Sequence, residues 1–71
     1  MHSRWFYKLQ KEIVGSGFGC QITNHKTQIT IKIISPAGSY REYTSSIADT
    51  MGWIFHKQCI ATTIRRYNLC H

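Results

Sequence analysis

The chain has 71 residues, nine Lys or Arg against three acids, and a formal net charge of +6, and it is too short for more than one domain. A domain this small buries only about 60% of the surface its unfolded chain exposes, so one thin core is expected and a deep substrate cavity is not. Hydrophobic residues make up 42% and Pro occurs once, which excludes a disordered tail, and no apolar run reaches the ~20 residues of a membrane span.

The chain opens M-H-S-R-W-F-Y-K, with no apolar signal-peptide core, and is read as cytoplasmic. Two periodicities compete after it. Trp5, Tyr7, Leu9 and Ile13 alternate like a strand, whereas Phe6, Leu9 and Ile13 fit a helix, as does the propensity of K8-L-Q-K-E12. The aromatic residues at its start and the glycines after it favour a strand, which would be the fourth of the sheet.

The next stretch, V14-G-S-G-F-G-C-Q-I22, resembles the glycine loop by which protein kinases cover ATP phosphates. That loop works only with a Lys–Glu pair, a catalytic-loop Asp and a metal-binding Asp, for which this chain has no room. The glycines are therefore expected to be structural. Gly15, Ser16 and Gly17 turn the chain between two extended segments, and Gly19 marks a bulge or a large neighbour.

Phe18, Cys20 and Ile22 alternate with Gly19, Gln21 and Thr23, and in T27-Q-I-T-I-K-I-I34 the isoleucines 29, 31 and 33 alternate with Gln28, Thr30 and Lys32. Both runs are half-buried strands by period, joined at N24-H-K26. Pro36 and Gly38 in S35-P-A-G-S39 predict a tight turn, after which Y40-R-E-Y-T44 returns as a third strand. The isoleucines are expected to face the core, with Thr30 and Lys32 toward solvent.

S46-I-A-D49 has the form of a capping box, and no proline follows it up to Asn68, so a helix of about 20 residues is expected. Ile47, Met51, Ile54 and Phe55 share one face of it; Trp53, Ile60, Ile64 and Tyr67 share another. Gly52 is a candidate bend. The fold class is thus α+β, a small antiparallel β-meander of three or four strands followed by one long C-terminal helix.

Catalysis has little to stand on. There is no Ser-His-Asp order with a nucleophile turn, no carboxylate pair with a pocket, and His25 and His56 are isolated. Three cysteines, an odd number, argue for free thiols. His56, Cys59, Cys70 and His71 have the wrong spacing for a zinc finger. No metal, no cofactor and no enzyme activity is expected.

A pI near 9.6 points to an acidic partner. Lys26, Lys32 and Arg41 on or beside the meander, helped by Arg65 and Arg66, are the candidate phosphate contacts, with Tyr43 and its aromatic neighbours available for stacking. Nucleic acid or a nucleoprotein complex is the preferred partner, in an accessory or regulatory role. The competing reading is an inhibitor or adaptor of the phage or mobile-element type that docks on a larger, acidic complex. Its anchors would be Trp53, Ile60, Ile64 and Tyr67, a stripe that could also make a homodimer.

A three-stranded meander followed by a helix resembles the arm-type DNA-binding domains of phage integrases, whose sheet enters the major groove. With a helical N-terminus the order is similar to double-stranded RNA-binding domains. That family has a lysine cluster at the start of its last helix, where this chain has Ser46, Ile47, Ala48 and Asp49. No family is assigned on element order alone.

Overall fold

A computed structural model describes residues 4–70. The chain runs α1 (Arg4–Gly15), β1 (Gly19–His25), β2 (Gln28–Ile34), β3 (Tyr40–Ser46) and α2 (Thr50–Cys70). The strands form one antiparallel sheet in the order β1-β2-β3, so the meander and the long C-terminal helix are both present.

The N-terminal segment is a helix, not the fourth strand its alternation suggested. Phe6, Leu9 and Ile13 fall on one side of α1 and are all buried, while Tyr7, which a strand would have put beside Leu9, is 64% exposed. The i, i+3, i+7 spacing therefore outweighs the aromatic content of the segment.

The glycine-rich stretch is the end of this helix. Phe18 N–H donates to Ile13 O (3.2 Å) and Gly17 N–H to Val14 O (3.0 Å), with Gly17 at φ +90°. This is a Schellman cap: the left-handed residue lets two amides fold back onto the last free carbonyls, and Phe18 packs beside Ile13 in the core. Gly19 pairs with Ile34 in regular register, and a Cβ there would lie 3.4 Å from Ile34 Cβ.

In the sheet, Ile31 stands between Ile22 and Tyr43, and Ile33 between Cys20 and Arg41. Ile29, Ile31 and Ile33 are fully buried, and with Phe6, Leu9, Ile13, Phe18, Trp53 and Ile60 they make the core. Both helices thus cover one face of the sheet. The other face stays open, with Thr23, Thr30 and Thr44 in register across it and Thr30 hydrogen-bonded to Thr44 (2.8 Å).

The start of α2 differs from the expected capping box. Ser46 is still in β3, opposite Gln28, and Ile47 N–H bonds to Thr27 O at 2.7 Å. Asp49 is the cap instead, accepting the Gly52 amide at 2.9 Å. A Cβ on Gly52 would run into the Asp49 carboxylate and come within 3.1 Å of Ser45 Oγ, so this glycine makes room for the cap.

Trp53 ties the layers together at this end. Its ring meets Phe6 edge-on at 4.9 Å and Trp5 at 5.5 Å, and its Nε1–H donates to Ser46 O at 2.9 Å. At the other end Phe18 meets Tyr67 edge-on at 5.2 Å.

Candidate nucleic-acid interface

Strand period and register decide where the sheet cations go. Lys32 lies on the open face, directly between Gln21 and Glu42, and its ammonium sits 4.2 Å over the Tyr40 ring. Its charge is thus offset by an acid opposite it and engaged by an aromatic beside it. Arg41 is one residue out of phase and points to the helix-covered face, in line with Ile33. Lys26 is exposed at the tip of the β1–β2 hairpin, at φ +50°. The three residues expected to form one sheet face therefore do not share one.

Tyr43 is also on the helix-covered side, opposite Ile31. It is half-buried, packed against the core with the His56 ring 5.4 Å away, and does not offer a free face for a base.

The helices hold most of the positive charge. They carry Arg4, Lys8, Lys11, Lys57, Arg65 and Arg66 against a single acid, Glu12. Lys8 and Lys11 are three apart on α1, and Lys57 and Arg65 eight apart on α2, spacings that put each pair on one helix face; all four are exposed. Lys57 and Arg65 line the seam between α1 and α2, where Glu12 also lies. Among the described residues no Lys or Arg is ion-paired with an acid. The periodicity that would have singled out Lys57 was present in the sequence.

The stripe expected to dock a protein is spent on the core. Trp53 is 2% and Ile60 1% exposed, with Ile64 and Tyr67 packed half-buried against them. The other stripe of α2 faces out, with Met51 74%, Phe55 62% and Ile54 47% exposed. Helix α2 is apolar on two sides, so periodicity could not tell which side meets the sheet.

A contact with no warning in the sequence joins Ser45 and His56. The Ser45 Oγ lies 2.8 Å from His56 Nε2, and Thr44 O lies 3.3 Å from the same nitrogen. A hydrogen bond between Nε2 and Ser45 Oγ ties the imidazole ring to β3. Its Nδ1 is buried without a partner, in an environment built from the Tyr43, Trp53 and Phe55 rings. The pair clasps β3 to α2.

The thiols are free, and burial pushes the Cys20 thiol pKa up. Cys59 and Cys70 are eleven residues apart on one helix, about 16 Å along its axis, too far to bind one ion. His71 lies outside the described residues. Among the described residues no cluster of three metal-ligating side chains occurs, and no helix is long and apolar enough to cross a membrane.

Comparison with protein families, with curated proteins and with solved structures finds no match to this chain.

Proposed function

We propose that this is a small non-catalytic binding protein with an accessory role in the cytoplasm, and that its partner is nucleic acid or a nucleoprotein complex. The observation that supports this best is the uneven charge. Lys8, Lys11, Lys57 and Arg65 stand exposed on the helix layer with one acid among them, while the open sheet face sets Lys32 against Glu42. Exposed cations that outnumber the acids beside them attract a polyanion and release its counterions on contact. Tyr7, exposed just before Lys8 in sequence, adds a stacking surface. Duplex RNA and duplex DNA are the ligands to try, since the charge pattern favours a polyanion of either kind.

The test is a fluorescence titration of the protein with short duplex RNA and duplex DNA at two salt concentrations. Affinity that falls steeply with salt supports the reading. No binding at low salt removes it.

A second reading, docking on a larger protein, is favoured by the exposed Met51, Ile54 and Phe55 on α2. It predicts binding that resists salt and is lost on Phe55→Ala. Trp53→Ala and Tyr67→Ala, the obvious probes from sequence, now report on folding instead.

A further inference from the structure

Two other arginines, Arg41 and Arg66, line a common cleft at a different place. Arg41 leaves β3 toward the helices, and Arg66 leaves α2 toward β3. Both line one open cleft of about 490 Å³ at the end of the molecule where the β2–β3 turn lies, and both also line the smaller cleft beside it. Among the described residues no Asp or Glu lines either cleft. Two like charges brought to one cleft from separate elements repel unless something negative sits between them.

The wall of the cleft is built to donate. The turn residues Ser35 and Ser39 are locked together: Ser35 N–H donates to Ser39 O (2.7 Å), Ser39 N–H to Ser35 Oγ (3.2 Å), and the two hydroxyls lie 2.7 Å apart. One hydroxyl proton is used between them, which leaves the other for a ligand oxygen. Gly38, at φ +96°, closes this turn, and Ser35 is buried, so the serines are held in place. The floor is apolar, Phe18 and Ile33, and Tyr40 forms part of the rim.

We propose that this cleft binds a phosphate monoester carried on a planar apolar body, namely the phosphorylated end of a nucleic-acid strand. A monoester has close to two negative charges at neutral pH and three acceptor oxygens, which match two guanidiniums and a hydroxyl; a diester within a strand has only one charge. The volume exceeds what a bare phosphate fills and suits a ligand with one ring system. The Phe18–Ile33 floor gives the terminal base an apolar surface. The inference rests on the nucleic-acid reading and deepens it, through residues separate from the Lys8, Lys11, Lys57 and Arg65 surface.

The experiment compares the full chain on two single strands of identical sequence, one with a 5′-phosphate and one with a 5′-hydroxyl. The expected result is about tenfold tighter binding of the phosphorylated strand. Arg41→Gln or Arg66→Gln should abolish that preference, so that the two strands bind equally. Lys8→Gln with Lys11→Gln should weaken both strands and keep the ratio. Both arginines are exposed, so neither change is expected to disturb folding. Equal affinity of the unaltered protein for the two strands overturns the inference and leaves the broader reading standing. If neither strand binds, the duplex titration decides the nucleic-acid reading, and the cleft is judged by amide NMR titration with a nucleoside monophosphate and with inorganic phosphate. Shifts at Ser39, Arg41 and Arg66 with the nucleotide but not with phosphate alone support the pocket; no shift with either, or equal shifts with both, overturns it.

Discussion

The two broad surfaces of this domain are made from the same chain and differ in almost every physical respect. The helix layer covers the core, presents Lys8, Lys11, Lys57 and Arg65, and holds one acid. The open sheet face covers nothing, sets Lys32 across from Glu42, and carries a threonine row. A net charge of +6 on a whole chain says nothing about which side has it. Here the strand register cancels charge on one side, and helix periodicity accumulates it on the other. A search for the partner should start from the helices.

The largest expected break in that asymmetry is in packing. Trp53→Ala removes the ring that joins α1, α2 and β3 and should cost about 3–5 kcal/mol in urea unfolding. Thr30→Ala on the open face loses one exposed cross-strand hydrogen bond and should cost no more than about 1 kcal/mol. Similar losses from the two changes would mean that the helix layer is not what stabilises the sheet.

Next comes charge. Lys8→Glu combined with Lys11→Glu should lower affinity for duplex by about a hundredfold and flatten its salt dependence, whereas Lys32→Glu should change it by less than about threefold. The reverse ranking, read by the same titration, would return the interface to the sheet.

The junction between the layers gives a smaller effect with a sharper signature. Asp49→Ala should cost about 1 kcal/mol through loss of the α2 cap. Gly52→Ala should be close to neutral, because the helical propensity it gains, about 1 kcal/mol, is offset by displacement of the Asp49 carboxylate. In the Gly52→Ala background the Asp49→Ala change should then cost almost nothing. Additive costs in that double-mutant cycle would show that Gly52 serves some other purpose.

The smallest effect is a gain. Lys26 occupies a left-handed position without being glycine, so Lys26→Gly should raise stability by about 0.5–1 kcal/mol. If the same change also weakens nucleic-acid binding, the hairpin tip belongs to the interface; unchanged binding would confine it to the turn.

Much of the architecture was legible in the residues. Alternation at Ile29, Ile31 and Ile33 is a direct consequence of strand geometry, and Pro36 with Gly38 leaves the backbone few choices, so the meander followed locally. The long helix was legible for the same reason, although its start moved from Ser46 to Asp49 because strand pairing with Gln28 held Ser46 in the sheet. The interface was less legible. Arg41 and Tyr43 looked like surface residues of a sheet, but a one-residue phase difference from Lys32 turned them to the covered side.

By itself, the sequence determined the α+β class, the order of the meander, the buried isoleucines and the basic character, since each depends on local geometry or on simple composition. Only the tertiary structure decided that residues 4–15 are helical, that α2 turns Trp53 and Ile60 inward and Met51 and Phe55 outward, that His56 reaches Ser45, and that Arg41 and Arg66 line one cleft. Each of these depends on which surface is covered by which element, and burial of the larger apolar area settles that for the chain as a whole.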